Sequence, residues 1–289
     1  MADAKPEPKK AKTGGTKPDL VSIGGLVVAI GGILAGMMME GGKIQEITQL
    51  TAALIVLGGT LGAVMITTPM KVLLGAAKQF SGIFLEKSHS AEAMIEEIIG
   101  YATQARKQGI VSLEAQAASI HDPFLKKALN LAIDGVDLQQ LRSIMELEIT
   151  MLEQRGEAEA KVFEAAGGYA PTIGIIGAVL GLMQVMKNLA NIDEVGHGIA
   201  TAFVATVYGV ATANIFFLPA GNKLKARLRE EVHLREMVLE GVLSVVEGMN
   251  PKLIRTKLEA YAPPKAAGAK KAKGKEAAEA GAKPAPAEG

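Results

Sequence analysis

Four stretches without a single Asp, Glu, Lys or Arg set the pattern of this chain: Leu20–Met39, Ile47–Met70, Ala165–Met186 and Val195–Asn222. At about 1.5 Å per helical residue, 20 residues cross the roughly 30 Å of hydrocarbon in a bilayer. Each stretch is therefore predicted to be a membrane-spanning helix, spans 1 to 4 in chain order. Between spans 2 and 3 the pattern changes to helical amphipathicity. Met94, Ile95, Ile98, Ile99 and Ala102 share one apolar face behind a Ser90 N-cap, and Gly109 stops that helix. Asp122-Pro123 opens a second helix and Gly135 closes it. Asp137 opens a third, through Leu138, Leu141, Ile144, Met145 and Leu152, with no breaker before Gly167. This helix is expected to run straight into span 3, and span 4 to continue through Lys223–Gly248.

The fold class that follows is an all-α membrane protein with four transmembrane helices and a helical cytoplasmic domain between spans 2 and 3. The expected domains are 1–19, a disordered cytoplasmic N-terminus; 20–70, a transmembrane hairpin; 71–164, the cytoplasmic helical domain; 165–222, the second hairpin; 223–260, a cytoplasmic helical extension; and 261–289, a disordered Lys/Ala/Pro tail. The links Glu40–Glu46 and Lys187–Glu194 hold one Lys each, whereas Lys71–Glu164 holds ten Lys/Arg and five Lys precede span 1. The positive-inside rule then predicts that both termini and the middle domain are cytoplasmic. The N-terminal segment does not read as a cleavable signal.

Composition narrows the chemistry. Cysteine is absent, and four scattered His give no metal-ligand cluster, so no metal and no cofactor are expected. No nucleophile–base–acid set or phosphate loop is present, so the chain does not read as an enzyme. A self-contained pump would keep a titratable group at mid-membrane. Apart from His197, near the outer end of span 4 where a solvated histidine is the default, these spans offer only Thr, Asn, Tyr, Gln and Ser, so a carboxylate has to come from a partner.

The spans are rich in small residues that let membrane helices approach closely. Gly32 and Gly36 in span 1, and Gly58, Gly59 and Gly62 in span 2, are expected to pack within the chain. Gly174, Gly177 and Gly181 in span 3 share a face with Ala170 and Ala178, beside Pro171 and Thr172, and are expected to meet a partner helix. Span 4 sets Ala202, Thr206, Gly209 and Ala213 at helical spacing. Two readings of Thr206 stand side by side: a hydroxyl bonded back to its own helix, or the polar member of a channel face. Tyr208 and Asn214 lie off that face and suit packing or interhelix hydrogen bonds.

Three runs together resemble one family: Ala170-Pro171-Thr172-Ile173-Gly174-Ile175-Ile176-Gly177-Ala178 through Leu182 in span 3, Ala202-Phe203-Val204-Ala205-Thr206-Val207-Tyr208-Gly209 with Pro219 in span 4, and Ala105-Arg106-Lys107-Gln108-Gly109-Ile110-Val111-Ser112-Leu113-Glu114 between spans 2 and 3. The chain is similar to the A subunit of bacterial flagellar motor stators, the MotA/PomA family, from about Leu20 to Tyr261. The resemblance implies a ring of A subunits, expected to be a pentamer, around a MotB-like single-span subunit whose membrane Asp carries the ion. It implies an ion path along Thr206, Ala178, Pro171, Thr172 and Gly209, coupling through Pro171 and Pro219, and contact of Arg106 and Glu114 with the rotor switch protein FliG. Membrane lipid is a further expected partner, and nucleic acid is not. Sodium-driven relatives place Thr where Ala178 stands, so the expected ion is H+. The nearest rival is an ExbB/TolQ-like energiser of an envelope machine, which has three spans and the opposite amino-end orientation.

Overall fold

A computed structural model of the chain describes residues 16–87 and 91–261. The 1–15 part of the N-terminal segment, the Ser90 cap and nearly all of the tail lie outside the described residues. The architecture is helical, with one two-stranded ribbon in which β1 (Thr16–Pro18) pairs antiparallel with β2 (Leu85–Lys87). Among the described residues four helices are long and apolar enough to cross a membrane: Leu20–Met39, Ile44–Thr67, Leu138–Lys187 and Ile192–Val246.

Span 1 is α1 (Leu20–Met39), started by the Asp19 carboxylate, which accepts the Ser22 N–H. Span 2 is interrupted, unlike the single helix expected for Ile47–Met70. It runs α2 (Ile44–Ile47), α3 (Leu50–Ala53), a π-helical turn (Leu54–Gly58) and α4 (Gly59–Thr67). Thr48 and Gln49 break it with non-helical backbone. A broken helix in hydrocarbon leaves polar backbone groups that must find partners. Tyr208 supplies them from span 4: its hydroxyl donates to the Ile47 carbonyl at 2.6 Å and accepts the Gln49 N–H at 3.4 Å. Asn214, by contrast, stays exposed and donates to the Val210 carbonyl of its own helix.

Helix α5 (Met70–Gly82) follows Pro69. Further on, α9 (Leu138–Lys187) is one uninterrupted helix of 50 residues, with Pro171 inside it. Span 4 is α10 (Ile192–Ala211), continued by a π-helical turn (Thr212–Phe217) and α11 (Leu218–Val246). The remaining helices are α6 (Ala91–Gln108), α7 (Glu114–Ala117), α8 (Pro123–Ile133) and α12 (Pro251–Glu259).

The described residues form two compact units, 16–87 with 143–236, and 91–142 with 237–261. In the first, Val64, Ala76, Ile83, Val162, Phe163, Ala166 and Ala220 make one buried cluster. Glycine sets how closely its helices pack. A Cβ on Gly75 of α5 would collide with Oε1 of Glu159, a buried carboxylate of α9 that also bonds Arg155 and Gln79. In the second unit, Ile98, Leu113, Leu125, Leu129, Leu243, Ile254 and Leu258 are buried. Glu240 there bridges Arg142 at 2.9 Å and Lys257 at 2.6 Å.

The foot of span 1 is fastened by charge. Asp19 pairs with Lys223 and Arg227 of α11, and Arg227 also donates to the Gly82 and Ile83 carbonyls that end α5. The hydrogen bond from Lys223, then that from the Ser22 N–H, hold the Asp19 carboxyl at about 2, below its usual 3.8. The folded state thus favours the carboxylate, so its stabilisation is present above the unfolded value and is lost as pH falls through the folded one. Asp19→Asn is expected to lower the thermal midpoint at neutral pH. The gap to wild type should close as pH falls from about 4 to about 2. A pH-independent gap in an acid melting series would show that Asp19 acts by shape alone.

Candidate functional site

Spans 3 and 4 are joined almost backbone to backbone. A Cβ on Gly174 would lie 2.9 Å from the Ala205 carbonyl, and one on Gly209 would lie 2.6 Å from the Ala170 carbonyl and 3.2 Å from Pro171 Cα. Nearer the far end of the spans, a Cβ on Gly181 would meet both Ala202 N and the Gly198 carbonyl at 2.8 Å. On the other side of Pro171, Gly167 receives Leu218, and Gly156 receives Leu228. One antiparallel contact thus runs along α9, α10 and α11, with small residues at each crossing.

This reverses the expected use of the glycines. The span 3 set, expected to meet a partner helix, is spent on span 4 of the same chain. Gly32, Gly36, Gly58 and Gly62, expected to pack within the chain, have nothing within 4 Å of an added Cβ, and only Gly59 touches another span, at Ile173. The reason is geometric. Two glycine faces, on spans 3 and 4, are complementary to each other, whereas α1 buries no residue at all against the rest of the chain. Spacing shows a small face but not which neighbour it meets.

The expected ion-path residues fall around this contact. Pro171, Thr206 and Gly209 lie at one level: Gly209 packs on Pro171, and a Cβ on Gly174 would be 3.5 Å from Thr206 Cα. Gly209 is buried in the crossing and shapes the wall from behind. Thr206 is half-buried, and its hydroxyl donates to the Ala202 carbonyl at 3.3 Å. That bond is longer than the usual O–H···O range of about 2.5–3.0 Å, so the hydroxyl is held loosely and can turn to another acceptor. Thr212, one and a half turns on, makes the same kind of bond at 2.7 Å. Ala178 is half-buried one turn along from Gly174, and Thr172 is exposed, with its hydroxyl on the Tyr169 carbonyl. Around them Ile175, Ile176, Val179 and Phe203 are exposed, an apolar surface that the chain itself leaves uncovered.

Pro219 lies apart from that cluster, in the first turn of α11 and directly after the π-helical turn. Proline has no N–H to donate to the carbonyl four residues earlier. A wide turn followed by a missing hydrogen bond makes this the softest point of the long span 4 helix.

Arg106 and Glu114 belong to the other unit. Arg106 is in the last turn of α6. Gly109, at φ +82°, turns the chain, Ile110–Leu113 forms a 3-10 turn, and Glu114 starts α7. The left-handed backbone at Gly109 suits glycine alone among common residues. Buried Leu113 pins the corner, while Arg106 and Glu114 are exposed. Among the described residues neither forms an ion pair within the chain, so both charges remain available. No group of His, Cys, Asp or Glu among the described residues is placed to hold a metal ion.

What spacing did not single out are the break in span 2 that Tyr208 bonds, buried Glu159, and the Asp19–Lys223–Arg227 cluster. The last had a signal: opposite charges stand immediately outside the ends of spans 1 and 4. The family described as "Motility protein A N-terminal" matches residues 23–108, and the "MotA/TolQ/ExbB proton channel family" matches 116–237. Motility protein A of Bacillus subtilis (strain 168) is 40% identical over 248 residues, which cover 86% of this chain and 92% of that one. The chain belongs to the motility protein A family of flagellar stator subunits. As a member of that family it is a multi-pass protein of the inner membrane. The C. jejuni MotAB structure superposes with a TM-score of 0.82 at 31% identity, over 86% of this chain and 98% of that one. The flagellar MotAB stator complex from Bacillus subtilis gives 0.79 at 39% identity, over 85% and 97%. The N-terminal motility protein A match, together with four spans, sets the chain apart from three-span ExbB/TolQ-like energisers.

Proposed function

We propose that this chain is the wall subunit of a proton-driven stator: several copies, five in the reading favoured here, surround a MotB-like partner whose single span carries an Asp. The carrying observation is the pairing of charge-free spans with one loosely held hydroxyl, Thr206, beside a large uncovered apolar surface. Such a surface requires a partner, and a charge-free one requires that the partner bring the titratable group. The solved structures to which the chain is similar are named as MotAB, which supports a second subunit beside this one.

In this mechanism a proton from outside neutralises the partner's Asp. A carboxylate is costly in hydrocarbon when charged and far less so when neutral. Neutralisation releases it from Thr206, and the partner helix moves along the wall formed by spans 3 and 4. The proton then leaves inward, driven by about 2.3 kcal/mol per charge for each 100 mV. Thr172 and Ala178 flank the route, and Gly209 keeps spans 3 and 4 close enough to form one wall. Pro171 and Pro219 convert the local shift into a bend. Ala178 provides no oxygen for a partly dehydrated cation, which supports H+ over Na+. Both termini and the long middle segment lie in the cytoplasm, where Arg106 and Glu114 engage FliG on the rotor.

The test is a deletion strain whose filaments are stained in the same cells. Normal filaments that do not rotate, regaining rotation with the restored chain and losing it again on a protonophore, are expected. Unimpaired swimming without the chain would reject the reading, and recovery that ignores the protonophore would reject the proton as its ion.

A further inference from the structure

A groove of about 300 Å³ lies between the foot of span 1 and the base of span 4, and torque generation gives it no task. Leu26, Ala29, Phe80 and Pro219 form apolar walls, and Ser22 and Lys223 stand at one end. From Ser22 to Ala29 the groove follows α1 for about 10 Å. It therefore begins at the membrane boundary and stays within one leaflet. None of the described residues closes it: α1 buries no residue, and a Cβ on Gly25, which lines the groove, would meet no described atom within 4 Å.

The polar end has an uneven charge count. Among the described residues Lys223 and Arg227 pair with one carboxylate, Asp19, which leaves one positive charge in excess. Asp19 stays ionised at neutral pH, so the excess is a single charge and not two. A groove with hydrocarbon walls and a cationic mouth at the headgroup level matches a lipid with an anionic head. A second copy of this chain matches less well. Its spans contain no Asp or Glu, so none of them could neutralise Lys223 at this depth.

We propose that this groove binds one anionic phospholipid from the leaflet on the Lys223 side. An acyl tail lies against Phe80, Leu26 and Pro219, and the phosphate oxygens accept from the Lys223 ammonium and the Ser22 hydroxyl. The bound lipid would rest directly on the proline at the soft point of span 4. The site depends on the chain being in a membrane but not on the ion or the rotor contact.

The experiment uses the full chain with its partner, extracted in detergent and stripped of lipid. Thermal unfolding is followed with added phosphatidylglycerol or phosphatidylcholine carrying the same tails. Wild type should gain about 4 °C with saturating phosphatidylglycerol and clearly less with phosphatidylcholine. Ala29→Phe, which fills the groove, should lose the gain. Lys223→Gln should reduce the phosphatidylglycerol gain to the phosphatidylcholine level, which keeps the test decisive if Ala29→Phe fails to fold. Equal gains from both lipids in wild type, or a full phosphatidylglycerol preference in Lys223→Gln, would overturn the proposal. So would an Ala29→Phe variant that keeps the lipid gain but changes the mass of the assembly, since the groove would then seat another chain. These readouts use purified protein, so a failed swimming test leaves them intact, and the reverse also holds.

Discussion

Gly209→Leu is expected to strip folded chain from the membrane, and swimming with it. At this position even a Cβ would lie 2.6 Å from the Ala170 carbonyl, with Gly174 Cα at 3.1 Å and Pro171 Cα at 3.2 Å. These are backbone atoms of a helix that is itself packed, so no flexible side chain can move aside. Overpacking a core costs roughly 1–3 kcal/mol where side chains can adjust, and here the spans must separate instead. A loss of this size is a large part of the roughly 5–15 kcal/mol that holds a typical protein folded. Gly32→Leu on α1 is the matched control, because its Cβ meets nothing within the chain. Membrane abundance by immunoblot and thermal unfolding of the extracted protein should separate the two substitutions sharply. Near-wild-type abundance and melting of Gly209→Leu would mean that the span 3–span 4 contact is looser than its geometry implies.

Glu114→Lys should produce the opposite profile: wild-type abundance and no useful rotation. Glu114 is exposed at a corner whose fold depends on Gly109 and Leu113 and not on the carboxylate. Exposed charges that make no internal pair contribute little to stability. They can, however, govern docking, because like charges set against each other across an interface cost several kcal/mol. Arg106→Glu should act in the same direction. If FliG presents the complementary charges, reversing the facing residue on the rotor should restore part of the swimming lost in each variant. Swimming assays and rotation of tethered cells check this, and undiminished torque in Glu114→Lys would remove the corner from the rotor contact.

Much of this fold was legible in the residues. Charge-free stretches of the right length gave four spans, because hydrocarbon penalises every unpaired charge and so marks its boundaries in the composition. Gly109, Asp122-Pro123, Gly135 and Asp137 placed helix ends, since caps and turns depend on a few atoms close in sequence. What failed to show was whatever depends on two distant segments at once. Spacing identified the small face of span 3, but its partner is decided by the matching face on span 4, some 30 residues away. Likewise an interhelix hydrogen bond was open to Tyr208, but its acceptor and donor lie at a break, Thr48 and Gln49, that no strong breaker announces. The π-helical turns at Leu54–Gly58 and Thr212–Phe217 are a further blind spot. Each shifts the helical phase, so a face counted at 3.6 residues per turn drifts off register beyond it. The ion-path residues were reached by likeness of motif, and Thr206 alone shows a physical trait, its long hydroxyl bond, that a sequence does not display.

The meshing of spans 3 and 4 also limits how the wall can deform. Between most helices a layer of side chains acts as a bearing, and rotamer changes let one slide past the other. Here that bearing is missing at Gly174, Gly181 and Gly209, where backbone meets backbone. The pair is keyed, like a shaft with a spline: it can tilt as one blade, but it cannot shear. In the proposed mechanism, a stroke begun by the partner helix would not be dissipated between the two spans. Bending is left to the points where proline removes a backbone hydrogen bond, Pro171 in span 3 and the joint at Thr212–Pro219 in span 4.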